Sequence, residues 1–428
     1  MNINSQIVAL SSAIAFSFQI ALALLILHYF SPEEVGIFSV VTQIGFFWTT
    51  LALAQTPLRL LANQGASVFE DAREAWVSSV QRFLLLLPFA ALTVWWSGLS
   101  SVGALLWAIF LSFFQLTWML AQSMRMRMVS PLQLAGVRVV PSLSSLIFAG
   151  TTVLFSWDGP ALLSAALFGY VIGAIWFLPV IFLGQFSSLE NGLSKSNYAT
   201  ESAKKYQLSI SKSVNSSSNF SPSSLSDDRA TSLRIGHAFL DALLGTAIVV
   251  VWQRLYGSEE TGWMAAPLRV MGFLPAVVNV AWAQVLIAKP HPGRNNSLLV
   301  GLGGFSIVLF LSATCAIALE SGWIHSQWKG TFTYLLPLSL WQGCACISAA
   351  YGHQPFKSRV SSKYSWVCIG VSVLQASTLL FPFMSQNKPL SATMHIWLFS
   401  CTSALGMLSI AYWLENISPS PKEFRKES

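Results

Sequence analysis

The sequence predicts an all-α polytopic membrane protein, with about twelve transmembrane helices in two parallel six-helix bundles around a central cavity. Three observations predict it. Of 428 residues, 54% are hydrophobic and 10% charged, where a soluble domain carries about a quarter charged residues. Apolar windows of about 20 residues, the length that crosses the hydrocarbon, recur along nearly the whole chain. Finally, one short acidic turn is written twice, as YFSPEEVG at 29–36 and LYGSEETG at 255–262.

The first span is expected near 6–28. The residues ahead of it, MNINS, carry no basic n-region, and the apolar run is longer than that of a signal peptide, so it is expected to stay as a membrane helix. Further spans are expected near 37–60, 77–97, 102–123, 132–156 and 161–184, completing the first set. A second set is expected near 233–255, 263–288, 298–319, 331–351, 364–384 and 393–414. The segment between the sets is rich in Ser, Asn and Lys and poor in aromatics, a composition that cannot bury enough surface to fold. The expected organisation is therefore an N-terminal bundle over 1–184, a flexible cytoplasmic linker over 185–232, a C-terminal bundle over 233–416 and a cytoplasmic tail over 417–428.

The formal charge of +7 does not point to nucleic acid, because the basic residues sit in short connectors and not on one amphipathic face. Arg73, Arg125, Arg127, the linker lysines, Lys289, Arg294, Lys357, Arg359 and Lys363 gather in alternate connectors, and the others hold little beyond Lys329 and Lys388. The positive-inside rule then places both termini and the linker in the cytoplasm and both acidic turns outside. Each turn occupies the first outer connector of its bundle. Glu33, Glu34 and Gly36 align with Glu259, Glu260 and Gly262, and Phe30 and Tyr256 are expected to set an aromatic ring at the membrane surface. Two bundles with one orientation form a parallel repeat about an axis along the membrane normal. The five cysteines fall in or beside apolar spans without metal-ligand spacing, so they read as packing residues.

The segment LLILHYFSPEEVGIFSVVTQIGFFWTTLALAQTPLRLLAN resembles the start of polysaccharide-biosynthesis membrane proteins, the lipid-linked oligosaccharide (O-antigen-type) flippases of the multidrug/oligosaccharidyl-lipid/polysaccharide exporter superfamily. The residues that carry the resemblance are Ser31, Pro32, Glu33, Glu34, Gly36, Ile37, Phe38, Ser39 and the basic Arg59, within roughly the first 65 residues. Ala54, Gln55, Thr56 and Pro57 stand where members often have a Gly-rich segment. The resemblance implies transfer of a polyprenyl-pyrophosphate-linked oligosaccharide across the bacterial inner membrane. It also implies the lipid bilayer, H+ or Na+ and polysaccharide assembly proteins as partners, with no cofactor.

Charge within hydrocarbon costs several kcal/mol unless it meets a partner or a wet cavity, which makes ionisable residues inside spans the candidates for function. Arg59, Arg82 and Arg138 fall in the expected cytoplasmic halves of spans 2, 3 and 5. They can line a cationic mouth for a lipid pyrophosphate, by paired charge-assisted hydrogen bonds, or simply snorkel to the inner surface. Arg269 lies seven residues into span 8 from the outer side, where snorkelling to the inner surface is no explanation, and it is read as a cavity residue. Asp241 and His237 stand at i, i+4 spacing on span 7. That fits a proton- or ion-coupling pair, or a buried structural one. Gln55, Asn279 and Gln284 on the corresponding spans 2 and 8 either hydrogen-bond sugar hydroxyls or glue helices together. Pro267, Gly272 and Pro275 invite a bend in span 8.

Three other classes fit less well. An exporter of small cations should have acids in its cavity, yet Arg outnumbers Asp inside the spans. A membrane polymerase or acyltransferase is expected to have a large outer loop with catalytic basic residues, and no nucleophile–base constellation stands out. The chain is therefore not expected to be an enzyme, and buried charges argue against an inert scaffold.

Overall fold

The computed structural model describes residues 3–54, 56–62, 67–99, 101–128, 131–157, 159–181, 224–279, 282, 286, 296–357, 360–384 and 390–417. Among them the chain is helical and contains no strand. The first half comprises α1 (Ile3–Tyr29), α2 (Pro32–Leu53), α3 (Thr56–Ala62), α4 (Val68–Leu85), α5 (Leu87–Trp96), α6 (Val102–Arg127), α7 (Pro131–Leu154) and α8 (Ala161–Ile175). The second comprises α9 (Ser224–Val278), α10 (Ser297–Glu320), a 3-10 turn (Ser326–Thr331), α11 (Phe332–Ala350), α12 (Gln354–Lys357), α13 (Ser361–Met384) and α14 (Ala392–Ile417). Seven described helices are long and apolar enough to cross a bilayer, or eight with α4 and α5 as one span bent by 47°. The chain is a multi-pass all-α membrane protein. α9 begins at Ser224, inside the segment expected to be linker. Residues 185–223 of that segment, and the tail from 418, lie outside the described residues.

The repeated acidic turns are helix starts, not loops. Ser31 caps α2: its side chain accepts from the Glu34 amide while the Glu34 carboxylate accepts from Ser31 N–H, with Pro32 in the first turn. This is a capping box followed by a proline that lacks the donor the position does not need. α2 consequently begins five residues before the expected span, and it stops at Leu53, where Ala54 takes φ 48°. In the second copy, Gly257 at φ 87°, ψ −179° is the one non-helical residue inside α9. A left-handed φ of this kind suits glycine, which has no Cβ to clash. The break divides α9 into two arms. Thr246 of the first arm donates to Gln43 O at 3.4 Å, and Arg269 of the second donates to Thr42 Oγ1 at 2.7 Å. Since both arms reach adjacent residues of α2, α9 doubles back at Gly257. The second arm stays helical through Pro267 and Pro275 to Val278.

Each copy of the turn packs on the other. A Cβ on Gly36 would overlap Ser258 O, and a Cβ on Gly262 would overlap Pro32 O. In the alignment of the two copies Pro32 corresponds to Ser258 and Gly36 to Gly262, so the two contacts are equivalents exchanged between the halves. This crossing draws Phe30 inward: it is buried, and its carbonyl accepts from Gln327 Nε2 and Trp328 Nε1 at 3.1 and 3.2 Å. Tyr256 likewise lies part-buried against His395 Nδ1 at 3.0 Å. The two rings expected at the membrane surface thus pack within the protein at the paired turns, Phe30 buried and Tyr256 part-buried, and Tyr29 is the exposed aromatic residue beside them.

Around this crossing the largest core joins α2, both arms of α9, α8 and α11. A second core lies within the first half, where Trp48 stacks on Phe83 at 4.2 Å and donates to its carbonyl at 3.0 Å. Gly36→Ala or Gly262→Ala is expected to lower stability by about 1–3 kcal/mol through overpacking. Gly303→Ala, with nothing within 4 Å of the added carbon, should be neutral or stabilising. Thermal unfolding in detergent compares them, and equal melting temperatures for Gly36→Ala and Gly303→Ala would count against the crossing.

Candidate functional site

A cavity of about 340 Å³ lies between α1, α2, α6, α7 and α8 of the first half and the second arm of α9. Small residues on α8 let its wall form. A Cβ on Gly169 would overlap Ser145 Oγ of α7, and one on Gly173 would overlap the Trp118 ring of α6. Trp118 is then fixed by its Nε1 donating to Val137 O at 2.8 Å and by packing on Tyr170 with centroids 5.5 Å apart. The wall is largely apolar and aromatic, interrupted by Gln19, Ser142, Ser145 and Tyr170.

Among the described residues Arg269 is the single charged residue lining this chamber. It is exposed, and the surface it exposes belongs to the chamber wall. Its guanidinium lies 4.3 Å from the Phe38 ring centroid and donates to Thr42. Tyr170 lies near enough to interact with it electrostatically. Among the described residues the one salt bridge joins Arg127 to Asp71 at 2.6 Å, so Arg269 has no acid partner there. A cation in this position is suited to attract an anion.

The other expected residues are distributed differently. Arg82 donates from Nη2 to Thr56 Oγ1 at 2.6 Å and to Ser79 Oγ at 3.4 Å, and from Nε to Ser78 O at 3.1 Å. It ties α4 to the start of α3. Arg138 is half-buried on α7, one turn before the chamber residues Pro141 and Ser142. Neither Arg82 nor Arg138 lines the chamber. Arg59 lies on α3, and its side chain is outside the described residues, as are Gln55 and Gln284. Asn279 is exposed just beyond the end of α9. His237 and Asp241 sit one turn apart on the first arm of α9, near enough for their charges to interact. The His237 ring meets Tyr364 of α13 edge-on at 6.0 Å, and neither residue of the pair lines the chamber.

Sequence reasoning missed Phe38, Thr42, Trp118 and Tyr170. A usable signal existed for Trp118: it lies mid-helix in α6, whereas interfacial tryptophans sit at span ends. Trp95, Trp157 and Trp323 are exposed as a membrane belt requires, but Trp48, Trp252 and Trp328 are core residues.

Arg82→Ala is expected to lower stability by about 2 kcal/mol, since it breaks charge-assisted bonds between two helices. Arg269→Ala should change it by less than about 1 kcal/mol, because loss of the Thr42 bond and the Phe38 contact is offset by removing an isolated charge from the membrane interior. Thermal unfolding separates the two roles, and a larger loss for Arg269→Ala would make it a structural residue.

No family model matches the sequence, and no curated protein matches it. By fold the chain is similar to an inward-facing multidrug resistance MATE family transporter of the MOP superfamily, at TM-score 0.54 and 11% identity over 96% of this chain and 99% of the other. It is also similar to the lipid II flippase MurJ in an inward closed conformation, at TM-score 0.57 and 14% identity over 95% of this chain and 87% of the other. At these identities the likeness is one of fold.

Proposed function

We propose that this protein is a flippase, not an enzyme, that moves a polyprenyl-pyrophosphate-linked oligosaccharide from the cytoplasmic to the outer leaflet by alternating access. The observation that carries the reading is Arg269, a cation without an acid partner among the described residues, on a largely apolar and aromatic wall between the two halves. An isolated charge at this depth is costly, and a phosphate offsets that cost by accepting paired hydrogen bonds from the guanidinium. The aromatic wall suits the faces of sugar rings, while the lipid tail stays in the bilayer.

In this reading the two bundles, 1–184 and 233–416, rock about the Gly36–Gly262 crossing, with both termini and the linker cytoplasmic in a bacterial inner membrane. Arg59, Arg138, Gln55, Asn279 and Gln284 serve the entry path outside the chamber, while Arg82, expected from the sequence to join them, braces α4 against α3. Asp241 and His237 on α9 exchange H+ or Na+ as the bundles move. Polysaccharide assembly proteins receive the product.

A second reading, export of a small anionic compound, is favoured by the chamber volume of about 340 Å³, which falls in the range of drug-sized pockets. A cationic drug is disfavoured, because no acid lines the chamber among the described residues.

In cells lacking the protein, lipid-linked saccharide should accumulate on the cytoplasmic leaflet. Arg269→Ala should cut the restored flipping by about tenfold or more with normal membrane insertion, since a charge-assisted bond contributes about 1.5–3 kcal/mol. Unchanged sidedness of the lipid in the deletion strain would remove the flippase reading and leave export.

A further inference from the structure

Phe38 and Thr42 are one helical turn apart on α2 and therefore share a face. Both touch the guanidinium of Arg269, which belongs to the other half. Phe38 lies beneath it, with 4.3 Å from Cζ to the ring centroid, a distance at which a cation is attracted to the ring face. Thr42 holds its edge at 2.7 Å. The Thr42 hydroxyl has a single proton, directed at Phe38 O at 2.7 Å, with Ser39 O at 3.2 Å. Its oxygen therefore offers a lone pair to Arg269, and the Thr42 side chain is not free to turn away. Among the described residues the guanidinium makes no other hydrogen bond, so its remaining donors are available to the chamber.

We infer that Thr42 and Phe38 are positioning residues, which hold the Arg269 guanidinium on the chamber wall in the orientation that receives an anionic head group. The inference rests on the reading of the chamber as an anion site. It adds that the site is assembled from both halves: the second supplies the charge and the first supplies its orientation. Gly36, where the halves touch, lies six residues before Thr42 on the same helix, about 9 Å along its axis. A movement that parts α2 from the second arm of α9 takes the lone pair and the ring away from Arg269. Its side chain then regains rotamer freedom and its hold on the anion weakens. Release of the ligand is thereby tied to the motion of the halves.

The test measures binding of farnesyl pyrophosphate and of farnesol to the full-length protein in detergent by calorimetry. Thr42→Val keeps the side-chain shape and removes the acceptor, and should weaken farnesyl pyrophosphate about fivefold to tenfold, the latter being ~1.4 kcal/mol. Farnesol binding should be unchanged. Thr42→Ser restores the hydroxyl and should return affinity to within about twofold of the wild type. Phe38→Leu should weaken the charged probe and spare farnesol, which checks the same idea through a different contact. Equal binding of farnesyl pyrophosphate by wild type, Thr42→Val and Phe38→Leu overturns the positioning role and leaves the anion chamber standing. Equal loss of both probes in Thr42→Val, without rescue by Thr42→Ser, shows a merely structural threonine and also overturns it. If wild type and Arg269→Ala bind the charged probe alike, the anion chamber itself fails, and the positioning role goes with it.

Discussion

The rest of the structure depends on one close approach, the crossing where Gly36 meets Ser258 O and Gly262 meets Pro32 O. Two helix starts can come this near only if neither presents a Cβ at the point of contact. Small residues serve the same purpose wherever membrane helices pack backbone to backbone, since lipid provides no hydrophobic drive for association. Here the arrangement is reciprocal, so each half supplies one glycine and one carbonyl. The crossing fixes α2 beside both arms of α9, and this brings Thr42 and Gln43 to Arg269 and Thr246.

Polar groups buried in the second half brace the same region. Trp252 and Tyr334 are fully buried. Trp252 Nε1 donates to the Tyr334 hydroxyl at 3.2 Å, and that hydroxyl in turn donates to Glu260 in the repeated turn. Trp252 also stacks on His395 at 4.5 Å, and His395 Nε2 lies 3.2 Å from Thr378 O. Such a network fixes relative helix positions because any shift leaves a buried polar group unsatisfied. One acid of the turn is thus anchored in its own half, and its backbone is left to meet the other half.

Among the described arginines several brace helices, and Arg269 lines the chamber. Arg82 joins α4 to α3, Arg127 pairs with Asp71 across α6 and α4, and Arg125 reaches Gln133 at 2.7 Å and the Trp176 carbonyl at 3.3 Å. These bonds bind neighbouring helices of the first half into a unit. Arg269 differs in having a hydroxyl, an aromatic face and open space around it, an environment that steadies a cation without neutralising it.

The all-helical membrane class was legible from composition and apolar windows, and Arg269 stood out because a charge so deep in a span needs a reason. The twofold turn was legible as a repeat, and Ser31, Pro32 and Glu34 carry a capping signature that reads directly as a helix start. What the repeat does was not legible, because the contact joins residues more than two hundred apart. Nor were Phe38, Thr42 and Tyr170. A helix buried in lipid and protein is apolar all round, so no amphipathic stripe marks the side that meets a cavity. By itself the sequence determined that the chain is helical and which charges fall within apolar stretches, since both follow from local composition. The tertiary structure alone decided which faces meet: backbone contact at Gly36 and Gly262 sets the rotation of α2 against α9, and that rotation selects the side chains that surround Arg269.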